Sequence, residues 1–142
     1  MYTILVIDDY SCIRDLLREE LGSEGYRVMI AEDLSSGIDL GGSSEPDLVI
    51  LDLYLDKQDR WDILIDIKKL SPKIPVIVYT GYEGYTEDER ITWADGFVIK
   101  SMFLNELKTQ VAEVLGRKTP APGRETEKAE LFSMQTSQIP HL

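Results

Sequence analysis

The sequence predicts an α/β protein, a doubly wound parallel sheet of five strands with helices on both faces. Three observations carry this. Short, wholly apolar runs recur along the chain, stripes at helical spacing lie between them, and a distinctive polar residue closes each strong run. The runs are residues 4–7, 48–51, 74–79 (interrupted by Pro75) and 97–99, with 28–30 as a weaker fifth. None alternates apolar with polar, so both faces of each strand are expected to be buried, as in a parallel sheet. Ile13, Leu16, Leu17 and Leu21 fit one face of a first helix that ends near Gly22 to Gly25. Ile63, Ile67 and Leu70 do the same before Pro72, and Leu104, Leu107, Val111, Val114 and Leu115 form the last stripe. The order reads strand then helix, five times.

The chain of 142 residues is long enough for one domain with its own core and a modest extension. Fifteen Lys and Arg face 26 Asp and Glu, a net charge of −11, which opposes binding to nucleic acid or an anionic membrane. The single cysteine, Cys12, excludes an internal disulfide and fits a reducing compartment. No apolar run approaches the roughly 18 residues of a membrane span. The opening Met1-Tyr2-Thr3-Ile4-Leu5-Val6 lacks the pattern of a signal peptide, so a cytoplasmic protein is expected. Residues 1–116 hold 11 basic and 23 acidic residues, whereas 117–142 hold four and three. The junction, Gly116-Arg117-Lys118-Thr119-Pro120-Ala121-Pro122-Gly123, has the composition of a linker. This places a domain at 1–116 and a tail at 117–142, expected to be disordered or to dock on a partner.

In a doubly wound sheet, ligands sit beyond the carboxyl ends of the strands. The first strand runs into Asp8-Asp9, the third into Asp52, the fourth into Thr80 and the fifth into Lys100. With the flavodoxin-like order 2-1-3-4-5, these four strands are consecutive neighbours. Three carboxylates, a hydroxyl and an ammonium then share one edge. Three clustered carboxylates repel, and one lysine cannot neutralise them. A hard divalent cation relieves the repulsion, and Mg²⁺ suits carboxylates, waters and a phosphate together. Asp52 can act as a nucleophile toward phosphorus, with Lys100 and Thr80 placed to meet phosphoryl oxygens. Singly, each residue has a plainer account: an Asp pair caps a helix, a Lys after a strand is solvated, a Thr before Gly81 serves a turn. Their joint placement at one sheet edge favours the chemical reading.

These motifs closely resemble the receiver domain of two-component response regulators, over residues 1–116. The resemblance rests on Ile7-Asp8-Asp9 with Arg14 five residues on, Pro46-Asp47-Leu48-Val49-Ile50-Leu51-Asp52-Leu53, Thr80-Gly81, and Ala94-Asp95-Gly96-Phe97-Val98-Ile99-Lys100. It implies that Asp52 accepts a phosphoryl group from a phosphohistidine. Asp8, Asp9, Asp52 and the carbonyl of Tyr54 would hold Mg²⁺, or Mn²⁺ in its place. Thr80 would turn toward the phosphoryl group, with Phe97 following as the aromatic switch, and Lys100 would pair first with Asp52 and then with the phosphate. The implied partners are a histidine kinase or histidine phosphotransfer protein and a downstream protein target, and a phosphorylation-dependent dimer is compatible with the family. Such a domain acts on itself and is no turnover enzyme.

The sequence departs from the family pattern in three places. The loop after the acceptor reads Leu55-Asp56-Lys57-Gln58-Asp59-Arg60-Trp61 instead of the usual Met-Pro…Gly, Lys100 is followed by Ser101 instead of Pro, and the fourth helix looks short, with little apolar face in residues 84–93. Asp56, Asp59 and Asp62 are expected to cap or solvate the third helix, Cys12 to be a structural thiol, and Trp61 and Trp93 to be packing or surface residues. The tail is too short for a common DNA-binding output domain, so a stand-alone receiver of the chemotaxis or phosphorelay kind is expected. His141 is read as solvated. The competing readings are a receiver-like scaffold that is never phosphorylated, and an aspartate-based phosphatase. The latter typically carries Asp-x-Asp after the first strand, unlike the adjacent pair here.

Overall fold

The computed structural model describes residues 1–34 and 45–116. The tail at 117–142 with His141, and residues 35–44, where the pattern calls for a second helix, lie outside the described residues. The sheet contains β1 (Thr3–Ile7), β2 (Arg27–Ala31), β3 (Leu48–Leu51), β6 (Val76–Thr80) and β7 (Gly96–Ile99). Its order is β2-β1-β3-β6-β7 and every pairing is parallel, which is the expected 2-1-3-4-5 arrangement. Between β3 and β6 the chain adds a small antiparallel hairpin, β4 (Tyr54–Leu55) and β5 (Gln58–Asp59), and then α2 (Trp61–Leu70). Helices α1 (Ser11–Ser23) and α3 (Asn105–Gly116) follow β1 and β7.

Alternate strand residues face opposite sides, and the core is two layers for that reason. Leu5, Ile7, Val49, Leu51, Val76 and Val78 pack against Trp61, Ile63, Leu64 and Ile67 of α2. Ile4, Val6, Leu48, Ile50, Ile77 and Tyr79 pack against Leu17 and Leu21 of α1 and Leu107, Val111 and Leu115 of α3. Helix α1 stops where the sequence predicts: Gly25 takes φ +95°, a left-handed conformation that other residues adopt at a cost.

Two expected core positions fall outside. Leu70 is 60% exposed, because the chain reverses after α2 and the buried Ile74, hydrogen-bonded to the Ser71 carbonyl, closes that end of the core. Leu16 is also exposed, leaving Leu17 and Leu21 as the buried residues of α1. The poor fourth helix is realised as two short 3₁₀ turns, Glu83–Glu87 and Glu89–Trp93. With few apolar residues to bury, this segment is anchored by Tyr85 and by the half-buried Ile91 and Ala94.

Candidate functional site

The register of the sheet builds the site. Ile7 pairs with Leu51, so the residues that follow, Asp8 and Asp52, leave the sheet side by side. Their amides stay in the ladder: Asp8 donates to the Ala31 carbonyl at 3.1 Å and Asp52 to the Ile7 carbonyl at 3.0 Å. Thr80 pairs with Ile99, and the Lys100 amide donates to the Thr80 carbonyl at 2.8 Å. Four side chains are thus fixed by backbone bonds before any of them meets another.

Lys100 Nζ lies 2.7 Å from Asp52 Oδ2 and 2.8 Å from Asp8 Oδ2. Asp8 and Asp52 are only 2% and 4% exposed, whereas Asp9 is exposed. The second oxygens are held by local amides, Asp8 Oδ1 by Tyr10 N–H at 2.9 Å and Asp52 Oδ1 by Tyr54 N–H at 3.0 Å. Burial pushes the Asp8 carboxyl above its ordinary value; the bonds from Lys100 and the Tyr10 amide oppose this, and the Asp52 charge adds to it. Burial alone would depress Lys100, but its hydrogen bonds to Asp52 and Asp8 outweigh that and hold its pKa above the ordinary 10.5. One ammonium therefore serves two buried carboxylates and leaves net negative charge.

Asp8, Asp9 and Asp52 each offer a carboxylate oxygen, and these atoms lie within 4.8 Å of one another. All-oxygen donors with excess negative charge fit a hard divalent cation, and the exposed Asp9 leaves room for water ligands. Asp9 Oδ2 accepts the amide of Asp56 at 3.1 Å, which ties it to the hairpin. Thr80 is 1% exposed, and its Oγ1 accepts the Tyr82 amide at 3.4 Å. Phe97 lies on β7 opposite Val78, two residues back along the sheet from Thr80, and is half-buried against the first core layer. The structure thus gathers Asp8, Asp9, Asp52 and Lys100 directly, with Thr80 at the end of β6 and Tyr54 at the start of β4, whereas Phe97 stands two positions before Ile99, the residue that pairs with Thr80.

Other expectations are corrected. Asp59 neither caps nor solvates α2: that helix has no side-chain cap, and Asp59 instead accepts the Tyr85 hydroxyl. Asp56 has its amide on Asp9 and lies in a left-handed turn, and only Asp62 sits in the first turn of α2, bonded to Arg60. Cys12 is exposed, so its thiol does no packing. Trp61 is buried and Trp93 is exposed, one of each kind expected. Sequence reasoning missed Tyr10, whose ring centroid lies 5.5 Å from Lys100 Nζ, and the details of Arg14, which donates to the Asp8 carbonyl at 2.7 Å. It also missed the contact between Tyr85 and Asp59, for which a lone tyrosine in a polar segment gives no periodic signal.

The family model of the response regulator receiver domain matches residues 4–112. A response regulator named MprA from Mycolicibacterium vanbaalenii is 31% identical over 134 residues, covering 92% of this chain and 57% of its own. The chain thus spans little more than half the length of such relatives. Among solved structures, the response regulator TrrA of Thermotoga maritima in complex with Mg²⁺-BeF is 36% identical with a TM-score of 0.72, covering 80% of this chain and 99% of that one. A further structure shows the histidine kinase ThkA in complex with TrrA, again at 36% identity and TM-score 0.72, over 81% and 99% of the two chains. The five-stranded sheet, its carboxylate edge and these matches define a response regulator receiver domain. This chain belongs to that family, whose members are signalling modules of two-component systems and not turnover enzymes.

Proposed function

We propose that Asp52 is the phosphoacceptor of a receiver activated by a histidine kinase or histidine phosphotransfer protein. The observation that carries this is the sharing of one ammonium by two buried carboxylates beside a third. A carboxylate paired with Lys100 through one oxygen, with its other oxygen fixed by the Tyr54 amide, presents an oriented nucleophile. An oxygen of Asp52 attacks phosphorus, the bond from phosphorus to the imidazole nitrogen breaks, and the electron pair leaves with the imidazole. Lys100 then exchanges its bond to Asp52 for one to a phosphoryl oxygen, and Thr80 supplies a hydroxyl donor. Asp8, Asp9, Asp52 and the Tyr54 carbonyl would hold Mg²⁺ or Mn²⁺, which offsets charge on the transferred group. Thr80 and Phe97 move together as the switch that biases a two-state surface read by the downstream target or by a second phosphorylated copy.

The domain unit in this reading is 1–116, working in the cytoplasm. Among the described residues no helix is long and apolar enough to cross a membrane. The complex of ThkA with TrrA supports a kinase partner. The test is to incubate the protein with Mg²⁺ and a small acyl phosphate, then measure intact mass and map the modified peptide. One phosphoryl group on Asp52, absent without Mg²⁺, is the expected result. No incorporation from that donor or from a panel of phosphorylated kinases would favour the scaffold reading instead.

A further inference from the structure

The hairpin that follows Asp52 and the 3₁₀ segment that follows Thr80 meet at one polar contact. The Tyr85 hydroxyl donates to Asp59 Oδ1. Tyr85 is 4% exposed, and its ring meets Trp61 edge-on at 5.5 Å and Tyr82 edge-on at 4.9 Å. Gly84 belongs to the same assembly: a Cβ there would lie 2.4 Å from the Tyr82 ring, so the ring position requires glycine. Outside this, Arg90 stacks 4.6 Å above Trp61 and is held by two bonds to Asp88.

Followed through, these contacts close a circuit. Asp52 accepts the amide of Tyr54, Tyr54 pairs with Asp59, Asp59 accepts Tyr85, Tyr85 packs on Tyr82, and the Tyr82 amide reaches Thr80. Both ends of the circuit are residues of the candidate site. Burial and the Asp59 carboxylate push the Tyr85 phenol above its ordinary range, so it remains a donor throughout the physiological range.

We infer that Tyr85, through its bond to Asp59, is a positioning residue that latches the segment carrying Thr80 to the loop carrying Asp52. The second half of this inference rests on the phosphoacceptor reading. The tethered Tyr85 holds Tyr82 in ring contact and so keeps the Tyr82 amide on Thr80 Oγ1, a bond that Thr80 gives up when it turns toward a phosphoryl group. The latch therefore favours the resting arrangement, and a ligand on Asp52 must work against it.

Two measurements test this, one independent of phosphorylation. Tyr85→Phe keeps the ring and deletes the hydroxyl. In the unliganded protein, amide exchange should accelerate in both 54–59 and 82–93, by about ten- to a hundredfold, the scale of one hydrogen bond to a charged acceptor. Acceleration confined to one segment, or none, overturns the latch. The second measurement titrates beryllofluoride with Mg²⁺, read by Trp61 fluorescence. Tyr85→Phe and Asp59→Ala should each bind several-fold more tightly, the double variant no more tightly than either, and Asp59→Asn, which keeps an acceptor oxygen, should stay near wild type. Additive effects, or weaker binding in the single variants, overturn the positioning role. Absence of a wild-type response, with linked exchange intact, would reject the phosphoacceptor reading and the coupling to it while leaving the latch standing.

Discussion

At the amino-terminal edge of the sheet, Asp47 accepts the Thr3 amide at 2.7 Å, and Asp95 accepts both the Val76 amide at 2.8 Å and the Lys68 ammonium at 2.6 Å. Lys68 also reaches the Ile74 carbonyl. At the carboxyl edge, Asp8 and Asp52 compete for Lys100, and burial raises the Asp8 pKa. The same residue type thus splices strand ends on one side and stores unneutralised charge on the other. Carboxylates satisfied by strand amides are structural, whereas those left sharing a cation are poised for a ligand.

Substitutions at the two edges should therefore fail in opposite ways. The largest effect is expected from Asp52→Asn, which should abolish the beryllofluoride response altogether. Its melting temperature should hold or rise, since the variant leaves Lys100 with a single carboxylate. A large loss of stability would break the comparison. Asp95→Ala should do the reverse. Losing an amide acceptor and the partner of Lys68 costs about 1–3 kcal/mol, a fall in melting temperature of about 5–10 °C, with beryllofluoride affinity unchanged. Differential scanning calorimetry and the same titration decide both.

A smaller effect separates the edges by pH. The folded pKa of Asp8 lies above its unfolded value of 3.8, so the folded state holds that proton more tightly. Its contribution to stability is complete below 3.8 and is lost as pH rises through the folded value. Asp8→Asn should thus gain on wild type in melting temperature as pH climbs from 3.8, then run parallel to it, and excess Mg²⁺ should narrow the gap. The smallest effect tests a residue beside the amino-terminal edge, whose carbonyl accepts the Ile74 amide. The Ser71 hydroxyl is buried without a hydrogen-bond partner among the described residues. Ser71→Ala should raise the melting temperature by a few degrees, as an unpaired buried hydroxyl costs about 1 kcal/mol or more.

The sheet was legible because its strands are wholly apolar and short, and strand order then brought Asp8, Asp52, Thr80 and Lys100 to one edge. Asp47 and Asp95 stood in the same motifs, yet nothing local in the sequence separates an acid that receives an amide from one that shares a lysine. That distinction lies in register, which places Asp47 opposite Thr3 and Asp95 beside Val76. Leu70 misled because helical periodicity continues to the last turn, whereas burial stops where the chain reverses at Ser71. The conformation of the loop from Leu55 to Trp61 had no counterpart in the sequence pattern, although Trp61 is buried as a packing residue should be. Its turn depends on two consecutive non-glycine residues with positive φ, against intrinsic preference.

Those two residues are Asp56 at φ 51° and Lys57 at φ 61°, at the exposed tip of the hairpin. Left-handed backbone at a non-glycine residue costs about 1–2 kcal/mol, so this tip is drawn from the weaker end of the fold. Its conformation is backed by one amide bond to Asp9, a proposed metal ligand. Lys57 therefore puts a tryptic cleavage point five residues from Asp52, in a loop bonded to that proposed ligand, and occupancy of the site is expected to slow the cut. A brief digestion, with and without Mg²⁺ and beryllofluoride, turns the state of a buried carboxylate into the intensity of a band on a gel.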